Sequence, residues 1–231
     1  MSFKRYATVY AMVVCAIILC GCPPTQTARV GQASRTRTAT DIRKVELLRQ
    51  LDKKWEDPAT HFELGQVYHS SGDWVNAERH YNYALGFDPA YRDAQAAIVK
   101  LQLDKGDQSK AEWAANTYIT QVASYPEQLL ALGAAFEKQG LYDYAFRCYN
   151  DALKSAPDSD KVNRQLAYYY LNRNQKEHAK EYFIRSFELN PNQSDVAGEL
   201  GRLGVAVKIP EAPAPGSNNL SQPARPPTPQ K

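Results

Sequence analysis

The sequence predicts an all-α fold, an α-solenoid of about four tandem helix pairs with a capping helix at each end and disordered flanks. Three observations carry that prediction. Gly72, Ala77, Tyr81, Ala84 and Pro89 recur 68 residues later as Gly140, Ala145, Tyr149, Ala152 and Pro157. Half that distance is a frame in which position 20 is alanine in every copy, at Ala77, Ala111, Ala145 and Ala179. A fixed period of 34 residues marks stacked pairs of helices, none of which buries its apolar face alone. Prolines punctuate this region without falling inside any predicted helix, as a chain of short helices requires.

The elements follow in order. Residues 1–21 contain a basic start (Lys4, Arg5) and a mostly apolar run from Ala7 to Leu19 that is too short to span a ~30 Å hydrocarbon core, so they read as a secretory signal. Leu19-Cys20-Gly21-Cys22 resembles the lipobox of bacterial lipoproteins, which implies cleavage before Cys22 and lipidation of that residue. An uncleaved anchor and cleavage by the ordinary signal peptidase are the alternatives. In such lipoproteins Pro23 and Pro24, with no Asp beside the cysteine, imply delivery to an outer membrane, facing the periplasm. Removal of Cys15 and Cys20 and acylation of Cys22 leave Cys148 as the one thiol, so no intramolecular disulfide is expected.

Residues 22–40 have Val30 as their only large apolar residue and no acid, and read as a lipidated flexible tether. Residues 41–57 form an N-terminal capping helix, with Ile42, Val45, Leu48, Leu51 and Trp55 at helical spacing as the face that needs a neighbour. Four repeats fill 58–193, as 58–91, 92–125, 126–159 and 160–193. Position 8 is Gly65, Val99, Gly133 and Ala167, small enough in most copies for two helices to approach closely. Position 24 is Tyr81, Ala115, Tyr149 and Phe183, and position 32 is Pro89, Ala123, Pro157 and Pro191. Gly72, Gly106, Gly140 and Asn174 suit the left-handed residue that ends each first helix. The second repeat departs at Gln102, Ala115 and Ala123, where a local irregularity or looser packing is expected. Residues 194–207 read as a short C-terminal capping helix weakened by Gly198, Gly201 and Gly204. Residues 208–231 are a Pro-rich disordered tail.

This set of positions resembles the tetratricopeptide repeat family over about 136 residues, which implies a right-handed solenoid that binds partner peptides on its concave face. Carried over by position, the resemblance assigns the groove to Phe62, Gln66 and His69 in the first repeat and Ala96, Lys100 and Leu103 in the second. Leu130, Ala134 and Glu137 follow in the third, and Arg164, Tyr168 and Leu171 in the fourth. The cationic clamp used by relatives that bind chaperone C-termini is absent, because Phe62, Gln66, Ala97, Glu127 and Ala131 occupy its places.

Chemistry finds no support. There is no HExxH, CxxC, nucleophile elbow, Walker loop or dinucleotide motif. His61, His69, His80 and His178 are expected to be solvated or groove-lining rather than metal ligands, and Cys148 to be buried packing. Within Tyr168-Tyr169-Tyr170 the frame makes Tyr170 core, Tyr169 its neighbour and Tyr168 a groove residue. The formal charge of +3 falls to +1 without residues 1–21, leaving 26 Lys+Arg against 25 Asp+Glu, which argues against nucleic acid. No cofactor, no metal and no enzymatic activity are expected. The expectation is an envelope-anchored scaffold that binds other envelope proteins through its groove and the membrane through its lipid. In architecture it resembles the tetratricopeptide pilotin lipoproteins that assist pilus or secretion complexes. The alternative is a structural or cell-wall-associated lipoprotein that uses the Pro-rich tail.

Overall fold

The computed structural model describes residues 27–208, and for 27–38 the course of the helix only. The signal segment, Cys22 and the Pro-rich tail lie outside the described residues. Those residues form ten helices and no strand: α1 (Thr27–Lys53), α2 (Pro58–Ser70), α3 (Trp74–Phe87), α4 (Arg92–Asp104), α5 (Gln108–Val122), α6 (Pro126–Lys138), α7 (Tyr142–Ser155), α8 (Asp160–Asn172), α9 (Lys176–Leu189) and α10 (Ser194–Arg202). The pairs α2/α3, α4/α5, α6/α7 and α8/α9 are the four repeats. Their first helices also touch one another in series, α2 on α4, α4 on α6 and α6 on α8.

Each first helix ends in the same way. Gly72, Gly106, Gly140 and Asn174 have φ of 80°, 81°, 72° and 58°. The following amide reaches back to the helix, Asp73 to the Tyr68 carbonyl at 3.0 Å, Asp107 to Gln102 at 2.8 Å, Leu141 to Phe136 at 2.9 Å and Gln175 to Tyr170 at 2.9 Å. This six-to-one bond satisfies carbonyls that a helix end leaves open. Asp73 and Asp107 then cap the next helix by accepting from the amides of Asn76 and Lys110. Pro89, Pro157 and Pro191 lie beyond α3, α7 and α9. Where Ala123 replaces that proline, α5 runs one residue further, to Val122.

Within repeats the close approach is between positions 8 and 24. A Cβ on Gly65 would sit 2.5 Å from the ring of Tyr81, and one on Gly133 2.4 Å from the ring of Tyr149. The second repeat inverts the sizes, with Val99 and Ala115 both fully buried, and the fourth places Ala167 beside Phe183. The expected looseness of the second repeat is thus compensated at this pair. Its cost appears at Gln102, 5% exposed, which donates to Glu78 at 3.0 Å while its own buried carbonyl oxygen has no partner.

Position 4 supplies a tie that recurs. Buried Gln95 and Asn163 donate to the carbonyls of Pro89 at 2.8 Å and Pro157 at 3.0 Å, each six residues back. His61 occupies the same position and bonds the Trp55 carbonyl through Nε2 at 2.8 Å. That carbonyl only accepts, so Nε2 of His61 is the protonated nitrogen and Nδ1 accepts from Nδ1–H of His80 at 3.1 Å. His61 is fully buried and His80 is 8% exposed. The expectation of solvated or groove-lining histidines is therefore corrected for both: they are interior groups that tie α3, through α2, to the Trp55 carbonyl in the turn between α1 and α2. Burial holds the His61 pKa below its ordinary value, and burial, then the neighbouring His61 and Arg79, lower His80 to about 4.

Three further expectations are corrected. Residues 27–40, read as a flexible tether, belong to α1, because lengthening an already packed helix avoids the nucleation cost. The face of α1 that meets α2 is Leu47 and Leu51, which pack on Leu64, whereas Ile42, Val45 and Leu48 remain exposed. The closing helix stops at Arg202, where Gly204 takes φ of 79° and the Val205 amide returns to the Leu200 carbonyl at 2.8 Å.

Candidate partner-binding groove

The candidate site is the face built by α2, α4, α6 and α8. Positions 12 and 13, at the ends of these helices, link consecutive repeats through the tyrosine of position 24. In the first repeat Tyr81 meets His69 Nδ1 at 3.3 Å, and His69 Nε2 meets Asp104 of the next repeat at 3.0 Å. Because the carboxylate only accepts, a neutral His69 donates from Nε2 and takes the Tyr81 hydroxyl proton bond on Nδ1. In the third repeat Tyr149 donates to Glu137 at 3.0 Å, and Asn172 of the next repeat donates to the other oxygen of Glu137 at 3.3 Å. Burial, with the nearby Asp104 and Glu137 carboxylates, raises both tyrosine pKa values well above the ordinary range, so each stays a hydroxyl donor.

Charged side chains on this face are mostly paired. Lys161 joins Glu127 at 2.6 Å, Lys138 joins Asp93 at 3.2 Å, Arg164 joins Asp195 at 3.6 Å, and Lys100 pairs with Asp104. Exposed pairs of this kind add about 0–1 kcal/mol each, so their main effect is to leave the face locally neutral. Between them stand half-buried apolar groups. Leu103 and Leu130 pack on the central core, while Tyr168 and Leu171 pack on the C-terminal one. The Tyr168 ring stands edge-on to Phe183 at 5.0 Å, and its hydroxyl donates to Asp195 at 3.3 Å.

Two concavities of about 700 Å³ open on this face. One lies where α1 meets α2 and is lined by Arg43, Phe62, Gln66, Ser70 and Tyr91 among others. Phe62 is only 9% exposed, a floor residue between the rings of Tyr81 and Tyr91 at 5.9 and 5.4 Å, whereas Gln66 is open at the rim. The other is lined by Ala134, Glu137, Lys138, Tyr142, Asn172 and Arg173. Ala96 is 0% exposed and lies in the central core, so it is withdrawn from the groove: on a helix flanked by others on both sides its position points into the packing.

Position-by-position reading missed Tyr142 and Arg173. The guanidinium of Arg173 stacks 3.8 Å over the Tyr142 ring and 4.5 Å over that of Tyr169. They sit at positions 17 and 14 of different repeats, outside the face-forming set, and only the turn geometry brings them together. Tyr169 is the buried member of the tyrosine run, at 5% exposed, with Tyr168 and Tyr170 half-buried, so Tyr169 and Tyr170 exchange the places expected of them. Cys148 is fully buried, and burial pushes its thiol up to about 12, far from a reactive thiolate. Among the described residues no three His, Cys, Asp or Glu side chains converge on a metal site, and no helix is long and apolar enough to cross a membrane.

The family model described as a tetratricopeptide repeat matches residues 164–193. Over 145 residues the chain is 26% identical to the type IV pilus assembly protein PilF of Pseudomonas aeruginosa, a match that takes 62% of this chain and 58% of that protein. It is 24% identical over 144 residues to the human Protein O-mannosyl-transferase TMTC1, covering 61% of this chain and 16% of the relative. The chain thus spans less than two thirds of either curated relative. A solved structure described as a functional characterization of Pseudomonas aeruginosa pilF aligns at 26% identity and a TM-score of 0.36, over 63% of this chain and 67% of that one. A structure of MamA from Desulfovibrio magneticus RS-1 aligns at 16% identity and a TM-score of 0.35, over 72% and 94%. With four helix pairs on one period, a residue of the left-handed region closing every first helix and the family model on the fourth pair, the chain folds as a tetratricopeptide-repeat solenoid.

Proposed function

We propose that this chain is a lipid-anchored scaffold of the cell envelope that holds a partner protein on the face of α2, α4, α6 and α8 and performs no chemistry. The observation that carries the reading is the character of that face. Most of its charges cancel in pairs, several of them between repeats, and the apolar groups left to meet a partner are Leu103, Leu130, Tyr168 and Leu171. Aliphatic and aromatic anchors in a neutral surround favour an apolar or amphipathic segment over a charged one. The similarity to a type IV pilus assembly protein supports assembly of a pilus, secretion or other envelope complex as the setting. The lipobox-like Cys22 supplies the anchor and Pro23-Pro24 the outer-membrane address in this reading.

The test is co-purification from the native membrane with Leu103→Asp and Leu171→Asp in the full chain. Retention of the helical circular-dichroism signal together with loss of the envelope partner is the expected result. Undiminished recovery of the partner would remove the groove from the account. Deleting residues 210–231 separates the alternative: loss of the partner on that deletion, with the repeats intact, assigns the role to the Pro-rich tail.

A further inference from the structure

Among the described side chains of helix α1 two apolar faces stand out, one covered and one exposed. Leu47 and Leu51 are 1% and 2% exposed against Leu64, while Ile42 and Val45 are each 66% exposed and Leu48 is 40% exposed. At 100° per residue the Ile42–Val45–Leu48 stripe is centred roughly 140° around the helix from the covered face. The rotation is fixed by more than apolar contact, because Arg43 pairs with Glu63 and the Lys44 ammonium stands 4.5 Å over the ring of Tyr68. The stripe therefore faces away from α2 and the solenoid behind it.

Two features of the chain say what covers it. Four residues separate Cys22 from Thr27, where α1 begins, so a lipid on Cys22 keeps the start of the helix within about 18 Å of the bilayer surface. Residues 23–40 carry Arg29, Arg35 and Arg37 and no acid, so positive charge gathers at the end nearest the lipid. An exposed aliphatic stripe on a helix that starts basic, beside a membrane anchor, has the make-up of an interfacial helix on an anionic surface. We propose that α1 lies along the bilayer with Ile42, Val45 and Leu48 at the headgroup boundary, holding α2 and the groove on the water side. The inference rests on the proposed lipidation of Cys22.

The experiment uses the full-length, acylated protein in phosphatidylethanolamine–phosphatidylglycerol vesicles. A bimane label is placed at Val45→Cys or, as a control, at Val75→Cys on α3, a site 70% exposed; Cys148, at 0% exposed, is shielded from labelling. Brominated lipid is expected to quench position 45 and not position 75, and Ile42→Asp with Leu48→Asp is expected to abolish the quenching. Protein that is acylated yet unquenched at position 45 overturns the inference alone. Spontaneous disulfide crosslinking between two Val45→Cys chains without quenching assigns the stripe to a second copy and also overturns it. Protein without an acyl chain refutes the anchor on which the inference depends, an outcome read separately by palmitate labelling of wild type and Cys22→Ser.

Discussion

The first and third repeats keep a bare glycine at position 8 beneath a tyrosine at position 24, whereas the second and fourth put Val99 with Ala115 and Ala167 with Phe183 at the same two places. The tyrosines do more than fill space. Their hydroxyls pass through to His69 and Glu137, and these reach Asp104 and Asn172 of the next repeat. The other two repeats carry Leu103 and Leu171 at that place, so the polar cross-links alternate with apolar side chains along the face. The side-chain period of this face is therefore 68 residues, twice that of the backbone.

That comparison breaks most visibly at the glycines. Giving the third repeat the valine of the second, Gly133→Val, sets a branched side chain where even a Cβ lies 2.4 Å from the Tyr149 ring. A loss of about 3 kcal/mol in urea unfolding is expected from such overpacking. Adding Tyr149→Ala, which completes the arrangement of the second repeat, is expected to recover part of the loss. Strict additivity of the two changes would show that the pair is not a unit.

The next effect separates the first repeat from the third, which are otherwise close copies. Positions 4 and 23 are His61 and His80 in one but Leu129 and Cys148 in the other. Both histidines have folded-state pKa values below the ordinary 6.5, His80 near 4, so the unfolded chain takes up protons first. Their contribution is complete above pH 6.5 and is lost as pH falls toward 4. Unfolding at pH 7 and pH 5 is expected to show lower stability at pH 5, and the transplant His61→Leu with His80→Cys is expected to flatten that slope. An unchanged slope would mean that other groups carry it.

The smallest effect is at the hydroxyls. Tyr149→Phe leaves Glu137 and Gln165 short of a partner and is expected to cost about 1 kcal/mol. Tyr81→Phe removes the single, longer bond to His69 and is expected to cost less. Equal losses, or none, would reduce the two cross-links to incidental contacts.

Much of this was legible because backbone demands repeat. The left-handed residue at position 15, the proline at 32 and the glycine under an aromatic ring each follow from one steric rule applied at a fixed spacing. Position 4 was legible too and was missed, since His61, Gln95 and Asn163 form a polar set only when the repeats are aligned on burial rather than on apolar residues. The covered face of α1 was not legible: Leu47 with Leu51 and Ile42 with Val45 and Leu48 both satisfy helical spacing, and the choice belongs to Leu64 and Tyr68, outside the helix. Ala96 failed for the same reason, because a position pattern gives the side of a helix but not the depth of its neighbours.

The central claim is that the face of α2, α4, α6 and α8 receives a partner, and site-specific photocrosslinking in cells tests it most directly. A photoreactive residue at Leu130 or Tyr168 is expected to capture one and the same protein, while a probe at Trp113, 70% exposed on α5, captures none of it. Equal capture from Trp113, or no capture from the two groove positions, would contradict the account.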